Sequence, residues 1–118
     1  TIEDNIQMMK VLRDLGVDMV DCSGGGATPA ARASIGTRTA DQVGLAAQMR
    51  KETGLITAAV GCITTSTQAE EIIATGQADI ALMARQFLRD PFAAMHFAQE
   101  LGADAKSQVS IPVGHFVA

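Results

Sequence analysis

Residues 54–86 read GLITAAVGCITTSTQAEEIIATGQADIALMARQ, and this stretch decides the fold. Its first part, 55–61, is an uncharged run that is too short for a typical helix but typical of a parallel strand covered on both faces. Thr65 and the serine after it offer N-caps for a helix over 67–75, which a glycine is placed to end. A second apolar run, 78–83, follows. The stretch therefore predicts a strand–helix–strand unit with parallel strands.

The same alternation extends to both sides of this unit. Hydrophobic spacing, glycines and prolines predict a helix over 2–15, a strand over 17–22, a loop over 24–39, a helix over 40–53, a short helical piece over 85–89, a helix with Asp90 as N-cap and Pro91 as first residue running to Leu101, and a tail without pattern over 102–118. Strands that alternate with helices indicate an α/β fold with a parallel sheet. We expect a single domain over 1–118, with an irregular tail over 103–118.

Three strands cannot close a barrel, because a (β/α)₈ barrel takes about 250 residues and this chain has 118. The pattern therefore predicts either a partial TIM barrel, roughly a half-barrel, or a small three-stranded α/β layer. In both cases the sheet has open edges and a face that its helices cannot cover. Such surfaces associate, so we expect a homo-oligomer, with a dimer favoured, or a need for a partner segment.

Composition and charge argue against several classes of protein. The net charge is −4 and no basic run occurs, so nucleic acid is not an expected partner. No apolar stretch reaches the ~18 residues of a membrane span, and the opening residues lack a signal-peptide layout. Cys22 and Cys62 are expected to be reduced thiols of a cytoplasmic protein, and with the two histidines they lack zinc-ligand spacing. The chain begins without Met, as a piece of a longer protein would.

Ligands of parallel α/β folds bind beyond the carboxyl ends of the strands. Three loops qualify, at 23–26 (SGGG), 61–64 (GCIT) and 84–86 (ARQ). Small residues in the first two would let backbone N–H groups approach an anion, and Arg85 carries a guanidinium fork suited to phosphate. In barrels, the loops after the last two strands often hold phosphate, which fits Gly61 and Arg85 if these strands are the seventh and eighth.

Each of these features also has a purely structural interpretation. The glycine run alone is a weak signal, Gly61 can serve a tight turn, and Arg85 can pair with Asp90. Residues more typical of structural or solvated positions are His96, His115, Asp21, Asp79, Arg32 and Arg38. No Ser/His/Asp or Cys/His constellation follows from the spacing.

At these same residues the sequence resembles the old yellow enzyme family, the NADH:flavin oxidoreductases, and especially its xenobiotic-reductase-like branch. Two stretches carry the resemblance, GVDMVDCSGGG at 16–26 and GLITAAVGCITTSTQAEEIIATGQADIALMARQFLRDPF at 54–92, together with the helix that follows. The resemblance covers the C-terminal half of that family only. It implies strands six to eight of an FMN-binding (β/α)₈ barrel.

The resemblance also implies which residues hold FMN. Backbone groups after strand seven and an arginine after strand eight bind the phosphate in that family. By motif position, the implied contacts are Ser23, Gly24, Ala59, Val60, Gly61, Ala84, Arg85 and, near the flavin ring, Leu88. Many members carry glycine where Ala84 stands.

The family's substrate-binding histidines and proton-donating tyrosine come from earlier strands, and this chain has no tyrosine. We therefore expect an FMN-binding fragment, with NAD(P)H as a candidate reductant, that has little or no ene-reductase activity by itself. Two alternatives remain open. One is a non-catalytic association domain, and the other is an enzyme module completed by a separate N-terminal half.

Overall fold

The computed structural model describes residues 1–24 and 41–103, which form one three-stranded sheet and five helices. In chain order the elements are α1 (Ile2–Asp14), β1 (Met19–Cys22), α2 (Asp41–Thr53), β2 (Ile56–Val60), α3 (Ser66–Ala74), β3 (Ile80–Leu82), α4 (Arg85–Arg89) and α5 (Ala93–Glu100). The predicted α/β class and parallel sheet are confirmed. The predicted loop at 24–39 and the tail at 103–118 lie outside the described residues, apart from their first residues, Gly24 and Ala103.

Strand β2 lies in the middle of the sheet and pairs in parallel with β1 and β3. Cys22 is in register with Ala59, and Val60 is in register with Leu82. The carboxyl ends of all three strands therefore meet at one edge of the sheet. This arrangement brings the described parts of the three predicted ligand loops, 23–24, 61–64 and 84–86, to the same side of the sheet.

The start of α3 is fixed by a reciprocal pair of hydrogen bonds. The Thr65 hydroxyl accepts from the Gln68 amide at 3.2 Å, and the Gln68 side-chain oxygen accepts from the Thr65 and Thr64 amides at 3.3 and 3.0 Å. This capping box satisfies N–H groups that the first turn of a helix leaves unpaired. The prediction that Thr65 is an N-cap is confirmed, and the helix begins at Ser66, one residue earlier than expected.

The predicted start of the last helix was wrong. Helix α5 begins at Ala93, with Phe92 at the N-cap position, and not at Pro91. The Asp90 carboxylate accepts from the Phe92 amide at 3.0 Å, which closes a local turn before the helix begins. The first helical bond joins the Phe92 carbonyl to the His96 amide at 3.1 Å. Asp90 therefore orders the entry to the helix without being its N-cap.

The core lies between the sheet and one layer of helices. Alternate strand residues, Cys22 and Ala59 among them, pack against buried residues of the helices and loops, namely Ile6, Val43, Ala46, Met49, Ile63, Ile72 and Ala78. The strand residues that alternate with these core residues point to the opposite face of the sheet. Met19 and Ile56, which are paired across β1 and β2, are each 49% exposed. The expectation that β2 is covered on both faces therefore holds for residues 57–59 but not for Ile56, because the helices of the core cluster pack on the opposite face.

Asp79 joins the starts of β2 and β3 to helix α2. Its carboxylate accepts from the Thr57 amide at 3.0 Å and from Arg50 Nε at 3.0 and 3.1 Å, while its own amide donates to the Thr57 carbonyl at 2.9 Å. The hydrogen bond from the Thr57 amide and the neighbouring Arg50 guanidinium hold the pKa of Asp79 below its usual 3.8. The interpretation of Asp79 as structural fits this set of bonds.

We expect Asp79→Ala to lower the thermal midpoint at neutral pH, because it removes the acceptor for both Thr57 and Arg50. A carboxyl group whose pKa is lower in the folded state stabilises the fold above its unfolded pKa, and loses that effect as the pH falls through the folded pKa. The difference in stability between wild type and variant should therefore shrink as the pH falls below about 4. Asp18→Ala, at an exposed aspartate, is the matched control. A difference that does not change with pH in thermal melts would contradict the role given to the Asp79 carboxylate.

Candidate functional site

A cleft of about 280 Å³ opens at the carboxyl ends of β2 and β3. Its walls come from the first turn of α2, the two strand ends, the loops that follow them and α4. The lining residues are Gln42, Val60, Gly61, Cys62, Ile63, Thr64, Leu82, Met83, Ala84, Arg85, Gln86 and Arg89. They include two arginines and no carboxylate, and we call this space the cationic cleft. The chain as a whole has a net charge of −4, so positive charge is concentrated at this cleft. This local excess of positive charge favours an anionic ligand.

Neighbouring clefts have a different character. One of about 240 Å³, on the other side of the Gly61–Cys62 turn, contains the carboxylate of Glu71 and no cation. Another of about 260 Å³, at the opposite end of β2, contains Arg50 and Asp79, which already pair with each other. The cationic cleft is therefore better suited to an anion than either of these neighbours.

The backbone of the turn after β2 adopts a conformation that lets neighbouring atoms come close to it. Gly61 has a φ of 120° and Cys62 a φ of 51°, so two successive residues lie in the region that favours glycine. A Cβ atom on Gly61 would lie 2.6 Å from Gln42 Oε1, so the Gln42 side chain would have to shift to admit any larger residue. Glycine at position 61 therefore fits both the backbone angle and the packing against Gln42. The turn leaves backbone atoms of residue 61 exposed to the cleft, in space that a larger side chain would fill.

Arg85 begins α4 directly after β3. Its side chain is exposed, and Nη2 lies 3.5 Å from the Cys62 sulfur, which is a weak acceptor. Among the described residues, no ion pair joins Arg85 to Asp90, because the Asp90 carboxylate is 2.6 Å from His96 Nδ1 instead. That contact lowers the pKa of Asp90 and gives His96 a structural partner. The guanidinium of Arg85 thus faces the cleft without a carboxylate partner in this part of the chain.

The structure brings together four of the predicted site residues. Val60, Gly61, Ala84 and Arg85 all line the cationic cleft. Ala59 does not line it, because its side chain is fully buried in the helix-side core and leaves only backbone for a ligand.

Three other predicted residues lie outside the cleft. Ser23 lines a separate groove between α1, β1 and α2. Gly24 does not line the cleft, but its carbonyl accepts from Nε2 of Gln42, which does, at 3.4 Å. Leu88 is 84% exposed and does not line the cleft. Its contact with a flavin ring stays a prediction.

Sequence reasoning missed two polar residues of the cleft, Arg89 and Gln42. Arg89 had a usable signal, because residues four apart share a helical face and Arg85 was already a candidate. Gln42 had a weaker one. The start of a helix that leads into a parallel strand lies at the carboxyl edge of the sheet, but nothing in the spacing distinguishes its side chain from those beside it.

The remaining titratable groups give no competing site in residues 1–24 and 41–103. No cluster of three or more histidine, cysteine, aspartate or glutamate side chains suited to a metal ion occurs there. Cys22 and Cys62 are free thiols, and burial raises the pKa of Cys22, which fits a core residue. None of the helices in this part of the chain has both the length and the apolar character needed to cross a membrane.

Comparison with known proteins gives a consistent result. A sequence model described as the NADH:flavin oxidoreductase / NADH oxidase family matches residues 1–104. The chain is 38% identical over 112 residues to an NADPH dehydrogenase of Bacillus velezensis, a match that covers 95% of this chain and 31% of the relative. NADPH dehydrogenases of a Geobacillus species and of Bacillus subtilis are 37% and 36% identical over 97% and 96% of this chain, and over 33% and 32% of their own length. The chain thus spans about a third of the length of these curated relatives.

We expect Gly61→Ala to destabilise the fold by about 1–3 kcal/mol, mainly because alanine is strained at this φ, while its Cβ would also force the Gln42 side chain to shift. Gly44→Ala is the matched control, because Gly44 lies within α2 with open space where a Cβ would stand. The control should stabilise the protein by about 0.5–1 kcal/mol. Denaturant unfolding measures both changes, and equal stability of the two variants would refute the constraint at Gly61.

Proposed function

The chain belongs to the NADH:flavin oxidoreductase / NADH oxidase family, and we propose that it holds the phosphate of FMN in the cationic cleft. The family implies FMN as cofactor and NAD(P)H as its reductant. The single observation that carries the proposal is that the described residues lining the cleft at the ends of β2 and β3 include two arginines and no carboxylate. A phosphate dianion needs this surrounding, because charge-assisted hydrogen bonds are about twice as strong as neutral ones.

The residues of the cleft fit a phosphate ester in shape as well as in charge. Arg85 offers two parallel N–H donors that match phosphoryl oxygens. Gly61 lets the backbone of the turn come close, since a methyl group there would displace the Gln42 side chain that lines the cleft. Val60 and Leu82, in register on adjacent strands, give an apolar wall beside these polar groups. Arg89 adds a second positive charge one helical turn from Arg85.

The order and spacing of the elements support a placement within the family's barrel. We assign β1, β2 and β3 to strands six, seven and eight of a (β/α)₈ barrel. Phosphate sites in that fold often lie after the last two strands, which are β2 and β3 in this assignment. The 118-residue chain would then supply the phosphate end of the flavin site, and other strands would supply the rest.

We further propose that the 118-residue chain alone has little or no ene-reductase activity. Bound FMN supplies hydride and electron transfer between a nicotinamide and an acceptor. The lining residues of the cleft bind and orient one end of that cofactor, but they include no tyrosine or histidine to move a proton. An active enzyme would need a further segment beside the ring, whether from the same chain or from a separate one.

A second candidate function, association, is favoured by the uncovered face of the sheet. Met19 and Ile56 lie side by side on that face, and both outer strands, β1 and β3, have a free edge within the described part of the chain. Exposed apolar faces and free strand edges bind other chains. We propose that the chain forms a homo-oligomer through this face, with a dimer as the simplest closed form.

We expect Arg85→Ala to weaken FMN binding by roughly tenfold to a hundredfold or more, the value of hydrogen bonds to a charged group. Arg85→Lys should have a smaller effect, because it keeps the charge but loses the fork. Lys51→Ala removes the same charge from an exposed position on α2 and should leave affinity unchanged. Titration of FMN by fluorescence quenching measures each affinity. Wild-type affinity in Arg85→Ala, or no FMN binding by the wild type, would refute the proposed site.

Ile56→Lys should convert the oligomer to a smaller species, because it puts a charge into the uncovered sheet face. Ile73→Lys is the matched control, since Ile73 is also exposed, at 41% against 49% for Ile56, but lies on helix α3. Light scattering at several protein concentrations measures the mass of each variant. A monomeric wild type, or the same shift in both variants, would count against association through the sheet.

A further inference from the structure

The carboxamide of Gln42 lies between the loop that follows β1 and the turn that follows β2. Its Nε2 donates to the Gly24 carbonyl at 3.4 Å, and its Oε1 stands 2.6 Å from the place a Cβ of Gly61 would take. The side chain is partly buried and lines the cationic cleft. One side chain thus contacts two of the three loops at the carboxyl edge of the sheet.

The orientation of the amide follows from chemistry. A carbonyl oxygen only accepts, so the NH₂ group of Gln42 must face Gly24. At 3.4 Å this hydrogen bond is long and weak. An NH₂ group carries two donors, so the same nitrogen can donate to a charged acceptor in the cleft at little cost to its contact with Gly24.

The chemical identity of residue 42 matters because glutamine is neutral. Glutamate has nearly the same shape, but an ionised carboxylate only accepts hydrogen bonds and would place a negative charge in the cleft. Methionine has a similar length but neither donates a strong hydrogen bond nor carries charge. The two substitutions therefore separate the loss of a donor from the addition of a repelling charge.

We propose that Gln42 is a phosphate-binding residue of the cationic cleft, donating an Nε2 hydrogen bond to a phosphoryl oxygen while its Oε1 packs against Gly61. This inference rests on the proposed function and adds to it a neutral donor from the start of α2, which lines the same cleft as the arginines of α4. A phosphoryl group would then be held by two elements, by arginine on α4 and by the carboxamide at the start of α2.

The test uses calorimetric titration of the whole chain with inorganic phosphate and with FMN. Gln42→Glu and Gln42→Met should each weaken binding on the order of tenfold or more, the value of a lost hydrogen bond to a charged group. Gln42→Glu should be the weaker binder of the two. Gln48→Glu is the matched control, because Gln48 lies on the same helix but is exposed and outside the cleft, and its affinity should equal that of the wild type.

Each outcome separates the inference from the proposed function. If the wild type binds neither ligand, the proposed function fails and the inference fails with it. If the wild type binds and both Gln42 variants bind as tightly as the wild type does, the inference alone is overturned. If Gln42→Glu weakens binding but Gln42→Met does not, only charge repulsion acts and the donor role is overturned.

A second measurement does not depend on the variants folding. In NMR spectra of the ¹⁵N-labelled wild type, the side-chain NH₂ resonances of Gln42 should shift on addition of phosphate, while those of Gln48 should stay in place. Shifts at Gly61 and Arg85 without a shift at Gln42 would overturn the inference and leave the proposed site intact.

Discussion

The parallel pairing of β2 with both of its neighbours is the constraint on which the site depends. It sets Cys22 beside Ala59 and Val60 beside Leu82, so every loop that follows a strand leaves from the same edge of the sheet. Gly61 and Arg85 are 24 positions apart in the sequence, yet they line one cleft. Asp79 supports this register at the opposite edge, where it joins the starts of β2 and β3 through Thr57. A shift of one residue in the pairing of β2 with β3 would move the arginine away from the glycine turn.

Sequence patterns could predict what depends on local chemistry. The uncharged run at 55–61, the hydroxyl at Thr65 and the glycines that end helices each act within a few residues, and the structure confirms the elements they predict. The predicted start of α5 was wrong because of a competing local structure. Asp90-Pro91 matches a common helix start, but the Asp90 carboxylate binds the Phe92 amide and approaches His96, so the chain makes a turn first. Two local structures compete for one carboxylate, and the sequence does not show which of them wins.

The site shows the same division between local and non-local information. Arg85 and Gly61 follow apolar runs directly, so their place at strand ends could be predicted from sequence. The position of Gln42 could not, because its contacts depend on the distance between the loops after β1 and β2, which only the packing of α2 against the sheet determines. The position of Leu88 was carried over by family resemblance, and in the structure this side chain is 84% exposed. A ring contact there would need a partner surface on the outer side of α4.

A phosphate-binding site is the part of a flavin site that a short chain can form by itself. In the proposed site the donors come from two successive strand ends and from the helix between β1 and β2, all of which pack into one small core. The charge of the ligand is concentrated in a few oxygens, so a few donors in a cleft free of carboxylates suffice to bind it. The flavin ring is different, because its wide apolar surface must be enclosed by strands from around a barrel. In the proposed half-barrel, the same lack of enclosure would leave Met19 and Ile56 half exposed on the uncovered face of the sheet, as they are here. The cleft proposed to bind phosphate and the face proposed to associate are thus two consequences of one geometry, in which three strands supply a complete edge but only part of a wall.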